Sequence, residues 1–271
     1  MSISELLSTL KAKDVQLALK GEQLSVQGNK QALSDPLILA ALREHKAALI
    51  ELIKAGEYSA SKAGEVQVPA NGIPLGAEHI TPAMLSLSTL SQDEIDRIVA
   101  TVDGGVANIQ DIYPLAPLQE GILFHHVSAE QGDPYVMQSQ FAFDSLERFE
   151  AFAQALQRVM DRHDILRTGV VWDGLQQPSQ VVWRQARLPV QALQLNPADG
   201  DIAAQLHGLF DARHYRLDVT RAPLLRLVRA DDRLNQRIVA TLLFHHMALD
   251  HSALEVVCHE TVSYTHLRAH E

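Results

Sequence analysis

The segment that most constrains the fold is Ile238–Phe244, IVATLLF. A short run this apolar, with β-branched residues inside it, reads as a strand buried on both faces and therefore central in its sheet. Elements with apolar faces must then cover it on both sides. The helix expected from Ser145 to about His163 sets Leu146, Phe149, Phe152, Leu156, Val159 and Met160 on one side. Strands are expected at Val136–Phe143, Val181–Trp183 and Leu224–Arg229, helices from Pro117 and over Ile202–Phe210, and a strand or turn at Ile112–Leu115. The order is an α/β alternation without internal repeats.

A separate module precedes it. Ile3, Leu6, Leu7 and Leu10 share a helical face, with Ser2 and Glu5 placed as a capping box. Val15, Leu17 and Leu19 alternate with polar neighbours, Gly21-Glu22 permits a tight turn, and Leu24 and Val26 alternate on the return. Ser34 or Asp35 can cap a helix with Pro36 in its first turn. Its apolar positions, Leu42, Leu49, Leu52 and Ile53, run to Gly56, as one helix or as two broken between Arg43 and His45. The pattern is αββαα over residues 1–58. Residues 59–110 read as a linker, with three glycines and three prolines between Ser59 and Pro82, followed by a helix capped by Ser91 and Glu94.

Charge separates the two parts. The chain carries 23 Lys+Arg and 33 Asp+Glu, net −10, and residues 1–58 hold seven of each sign, so 16 basic and 26 acidic residues lie beyond them. No basic stripe exists to neutralise phosphates, so no nucleic-acid partner is expected. Cys258 is the one cysteine of 271 residues, which excludes an intramolecular disulfide framework. With no leader-like start and no 18-residue apolar stretch, a cytoplasmic location without membrane contact is expected.

The central strand runs into HHMALDH, His245–His251. Histidines at the end of a buried strand, with an acid close behind, are where a scaffold presents side chains to a cleft; the alternative for His245 is a packed, hydrogen-bonded core histidine. A metallo-hydrolase HxHxDH pattern fails, because counting from His246 the required histidine position is Ala248, and no second cluster completes four ligands. No metal is expected. An acyltransferase pattern with His and Asp separated by four residues fits His245 and Asp250, but it is short and unspecific.

HHMALDH resembles the HHxxxDG signature of the condensation domains of non-ribosomal peptide synthetases, in the chloramphenicol acetyltransferase-like superfamily. YPLAPLQEGILFHH at Tyr113–His126 resembles the first motif of that family, RHDILRT at Arg162–Thr168 resembles its RHExLRT motif, and APLLRL at Ala222–Leu227 fits the stretch before the active-site strand. The first motif is closest to the subtype joining a D-configured donor to an L-configured acceptor. The resemblance implies an α+β protein: a small αββαα docking domain, then a truncated α/β sandwich lobe over 111–261, the N-terminal half of a condensation domain. It implies amide-bond formation between donor and acceptor thioesters on carrier proteins, with His246, His245 and Asp250 as catalytic-site residues. Asp250 would hold its loop by an ion pair with Arg162 or Arg167. His251 replaces the usual glycine, adding bulk and a possible second titrating group near the acceptor. No cofactor is bound directly; the substrates are phosphopantetheine-tethered on partner peptidyl carrier proteins.

The first module resembles a TubC-type docking domain, which implies a homodimer. Lys11, Lys13, Lys20 and Lys30 around its hairpin would accept an acidic C-terminal tail of an upstream synthetase subunit by strand addition, the alternative being an ordinary solvated face. The last ten residues, 262–271, VSYTHLRAHE, show no continuation of the helix expected near Ser252 and are similar to an in-frame translation of a transposase sequencing adapter. The chain as given would then lack the second lobe needed for catalysis. Two alternatives accompany this reading: a docking module only, or an epimerisation-type domain of the same fold.

Overall fold

The computed structural model describes residues 3–13, 15–20, 23–28, 35–54 and 71–267, divided into two units, 1–70 and 71–271. In the first unit, α1 (Ile3–Ala12) leads into an antiparallel hairpin of β1 (Val15–Lys20) and β2 (Gln23–Gly28), in register from Val15↔Gly28 to Lys20↔Gln23. Two helices follow, α2 (Pro36–Glu44) and α3 (Lys46–Lys54), so the expected break falls at His45. Asp35 starts α2: its carboxylate accepts the Leu37 N–H at 3.0 Å, and Pro36 occupies a position where a missing N–H costs nothing. Leu6, Leu10, Val15, Leu17, Ile38, Ala41, Leu42 and Leu49 form the core of this unit; all but Ile38 and Ala41 are periodic positions read from the sequence, while Leu52 and Ile53 are only partly buried. The expected cap at Ser2, the turn at Gly21-Glu22 and the stop at Gly56 lie outside the described residues.

The second unit begins earlier than a linker to residue 110 would allow. Ile73, Ile80, Leu85 and Leu90 are buried in one cluster with Ile95 and Ile98 of α4 (Gln92–Thr101), with Val102 just past its end, and with Ile109, Ile112, Val181 and Trp183. The glycines and prolines that mark this stretch as irregular do not make it free, because its apolar residues find a sheet to cover. Glu94 closes the expected capping box, accepting from the Ser91 N–H at 2.9 Å and the Ser91 hydroxyl at 2.8 Å.

That sheet is three-stranded and antiparallel: β3 (Ile109–Pro114), then α5 (Pro117–Ser128), β4 (Val136–Phe143), α6 (Leu146–Arg162), β5 (Thr168–Val171) and β6 (Ser179–Trp183) follow along the chain, and β3-β6-β5 pair. The other sheet takes β4 and three later strands, β7 (Val190–Leu193), β8 (Leu225–Asp232) and β9 (Arg237–His245), in the order β4-β9-β8-β7. The IVATLLF strand is therefore interior, flanked antiparallel on both sides, with β7 parallel to β8 at the edge. Alternation divides its side chains between two faces. Ala240, Leu242 and Phe244 pack with Phe149, Phe152, Leu156, Val159 and Met160 of α6 and with Leu254 and Val257 of α8 (His251–Leu267), while Val239 and Leu243 pack with Leu206 of α7 (Ile202–Leu209) and Phe210.

The tail differs from expectation. Helix α8 runs on to Leu267, since the stretch after Thr261 contains neither Gly nor Pro and its hydroxyls bond back within the helix: Thr261 to the Val257 carbonyl at 2.7 Å, Ser263 to His259 at 2.9 Å, Thr265 to Val262 at 2.7 Å. Among the described residues, no helix is long and apolar enough to cross a membrane.

Candidate functional site

Strand β9 ends at His245, directly opposite Val136, the first residue of β4. By the alternation of the strand His245 belongs to the Val239 and Leu243 face, and it is fully buried. The loop entering β4 brings Asp133 against it, also fully buried, and the last turn of α5 brings His126. Asp133 Oδ2 is 2.9 Å from His245 Nε2 and 2.5 Å from His126 Nδ1, and its Oδ1 accepts the Tyr135 N–H at 2.9 Å. Burial pushes the Asp133 carboxyl up, but the bonds from His126, His245 and the Tyr135 amide outweigh it and hold the group well below the usual carboxylate range. A carboxylate can only accept, so both imidazoles donate to it. The other ring nitrogen of His245, Nδ1, then accepts the Met247 N–H at 3.2 Å.

His126, Asp133 and His245 offer ligand atoms within 4.8 Å of one another. The donor chemistry opposes a metal there. A cation on His245 Nε2 would require the proton on Nδ1, where the Met247 N–H already points. The cluster is built as a hydrogen-bonded network.

His246 takes the opposite side of the chain and is exposed. Its backbone N–H extends the β4 pairing by one bond, to the Tyr135 carbonyl at 2.9 Å, and its ring lies 6.4 Å from that of Tyr135 at an interplanar angle of 13°. Its Nδ1 is 2.9 Å from the Leu249 carbonyl, which can only accept, so in the neutral ring the proton sits on Nδ1 and Nε2 keeps the lone pair. Turn bonds from the Ala248 and Leu249 N–H groups to the His245 carbonyl, and Gln119 Nε2 to the Met247 carbonyl at 3.2 Å, fix this segment. The arrangement leaves one oriented imidazole base at the mouth of a sheet.

Asp250 is placed differently from the ion pair expected for it. It is exposed and stands just before α8, where its carboxylate accepts the Ala253 N–H at 2.7 Å and its carbonyl the Leu254 N–H at 2.9 Å. The free N–H groups of a helix start recruit it. Both arginines have other partners. Arg167 is buried and its guanidinium bonds the carbonyls of Met160, Trp183 and Arg184, Gln110, and Asp164 at 2.6 Å. Arg162, at the end of α6, faces Glu260 of α8 at 4.0 Å, beside the His163–Glu260 contact of 2.8 Å. His251 extends into solvent with its Nε2 3.4 Å from Glu255 Oε1, so it does not join the histidine pair.

In the first unit, Lys13 is 3.0 Å from Asp35, the residue that caps α2, and this contact holds the Asp35 carboxyl below its ordinary range. It is not a free cation. Lys11 lies in α1 and Lys20 closes β1, their side chains falling outside the described residues, as does the whole of Lys30.

His126 and Asp133 are the residues that the sequence reading missed. His126 follows Ile122 at helical spacing, which places it on the buried face of α5. Asp133 sits in Gly-Asp-Pro-Tyr, a turn signal before a strand, with nothing local to mark it as a partner of a histidine 112 positions away.

Comparison with known proteins finds relatives of both units. Residues 109–271 match the condensation domain family, and residues 3–54 match the TubC N-terminal docking domain. Malpinin synthetase of Mortierella alpina is 53% identical over 192 residues, 71% of this chain and 2% of that synthetase. Malpibaldin synthetase of the same organism is 47% identical over 197 residues, 73% of this chain and 4% of that one. The chain thus spans a small part of the relatives it matches. The solved structure of holo T3CT shares the fold, at a TM-score of 0.52 and 17% identity over 68% of this chain and 41% of that one. With the family's double histidine at the end of a central strand and a docking domain ahead of it, the chain belongs to the condensation-domain family of non-ribosomal peptide synthetases.

Proposed function

We propose that this chain supplies the docking domain and the histidine-bearing lobe for peptide-bond formation between thioesters carried on two peptidyl carrier proteins. The observation that carries the reading is His246: exposed, with Nδ1 2.9 Å from the Leu249 carbonyl, a contact that in the neutral ring puts the proton on Nδ1 and the lone pair on Nε2. An α-amino group has an ordinary pKa of about 8, so a useful fraction of acceptor amine is already neutral at cellular pH. Its lone pair attacks the donor carbonyl, the C–N bond forms, and the nitrogen must shed a proton, which His246 Nε2 is oriented to accept. The C–S bond then breaks and the pantetheine thiol leaves, the proton passing to sulfur. His245 lies too deep to touch substrate. Asp250 acts by starting α8.

The test is His246→Ala in the complete synthetase subunit, with both carrier proteins loaded. Condensation is expected to be lost with folding unchanged; retained turnover overturns the assignment, and racemisation of the donor in place of amide formation would establish the epimerisation-type reading.

The self-contained core of the first unit favours a second role for it alone. Upstream-subunit capture would proceed by addition of an acidic C-terminal tail to the hairpin, with Lys11, Lys20 and Lys30 supplying charge and a second copy completing a homodimer. Binding of an acidic peptide that weakens at high salt supports this; salt-independent binding or none refutes it.

A further inference from the structure

We infer that Asp133 is the positioning residue of the histidine pair: one buried carboxylate fixes the ring state of His245 and the backbone that carries His246. Two routes lead out from it. Through Oδ2 it takes the His245 Nε2–H, which leaves His245 Nδ1 to accept the Met247 N–H and so pins the turn just beyond His246. Through Oδ1 it holds the Tyr135 N–H, and the Tyr135 carbonyl in turn accepts the His246 N–H while its ring stacks on the His246 imidazole. His246 is thereby held from before and after.

The surroundings hold Asp133 itself. Its N–H donates to the Ala212 carbonyl at 2.7 Å, and His126 donates the second bond to Oδ2. Arg216 anchors His126 from behind, donating to the His126 and Ala129 carbonyls at the end of α5. Every polar atom facing the carboxylate is a donor, so a neutral amide of the same shape cannot replace it. If the amide oxygen of Asn takes the Oδ2 place, its NH2 meets the Tyr135 N–H. If reversed, its NH2 meets both imidazole N–H groups, and His245 relieves that clash only by moving its proton to Nδ1, against the Met247 N–H.

The inference rests on the proposed function only for its effect on turnover. The direct test is ring 15N NMR of the 271-residue chain at about pH 8, where an ordinary imidazole is neutral. In the wild type, His245 should be protonated at Nε2 and His246 at Nδ1. Asp133→Asn should move the ring signals of both, and so should His126→Leu, more weakly. His126→Asn, whose amide nitrogen can occupy the place of Nδ1, should restore the wild-type pattern. Wild-type spectra with His245 protonated at Nδ1, or variants Asp133→Asn and His126→Leu that both leave His246 unmoved, overturn the inference; the wild-type measurement decides even where a variant fails to fold. In the complete synthetase, Asp133→Asn should lower kcat by about tenfold or more with little change in KM, the signature of a misplaced rather than a missing binding contact. A synthetase without condensation activity would overturn the proposed function and leave the ring states standing.

Discussion

Replacing Arg167 separates two accounts of the RHDILRT motif. If the guanidinium served Asp250, the two side chains would be energetically coupled; in the structure they share no partner, Arg167 holding the Met160 and Trp183 carbonyls and Asp250 the Ala253 N–H. Arg167 is 4% exposed and gathers the carbonyls of Met160, at the end of α6, and of Trp183, at the end of β6, both in buried bonds. Arg167→Met strands those two acceptors, at about 1–3 kcal/mol each, or roughly 2–6 kcal/mol in all. The bond to the half-exposed Asp164 adds at most about 1 kcal/mol. Against a total stability of about 5–15 kcal/mol this is severe, so Arg167→Lys is the working variant, keeping the charge while losing the fork. Asp250→Ala should cost about 1 kcal/mol, the loss of a helix cap. Both tryptophans of the chain, Trp172 and Trp183, lie in the second unit, so urea denaturation followed by their fluorescence reports on this unit. In the double variant the two costs should add within about 0.5 kcal/mol, as for independent sites. A coupling above about 1 kcal/mol would refute the separation and restore the ion pair.

Acid and glycine substitutions each give a measurable outcome. The folded-state carboxyls of Asp133 and Glu94 are depressed, Glu94 by the Gln176 amide and by Ser91, so the unfolded chain binds protons more readily. Their contribution is complete above the unfolded pKa and is lost as pH falls through the folded one; the melting temperature should drop below about pH 4, less steeply in Asp133→Asn, and a flat acid limb contradicts this. Gly132 has φ +66°, and an added Cβ would stand 2.4 Å from the Ala212 and Arg213 carbonyl oxygens, so Gly132→Ala should cost more than about 1 kcal/mol. Gly208 in α7 has nothing within 4 Å of its Cβ position, so Gly208→Ala should stabilise by up to about 1 kcal/mol; equal melting temperatures for the two variants would refute the contrast.

Much of the architecture was legible one segment at a time. The caps at Asp35 and Ser91, the core-facing stripe of α6 and the interior position of IVATLLF depend on residues within a few positions of one another. Strand β5 went unread because four residues, Thr168–Val171, are too few to show alternation, and all four are buried. Strand β7 was missed for the opposite reason: Val190, Gln191 and Ala192 are exposed at a sheet edge, so no apolar pattern is required of them. The interval from Asn71 read as linker because glycine and proline break periodicity, whereas its burial depends on a sheet formed later in the chain.

The sequence by itself determined that a strand buried on both faces ends in two histidines, and which of them the family motif marks. Only the tertiary structure decided what each one bonds. Antiparallel pairing of β4 with β9 sets Val136 opposite His245, and that register alone brings Asp133 to His245 and Tyr135 to His246. The same packing spent Arg167 on carbonyls and Arg162 on α8, leaving Asp250 to cap a helix. A polar side chain bonds whatever the folded chain sets beside it, and burial makes leaving it unpaired costly. Periodicity carries which face is apolar, but not which distant segment will lie against it.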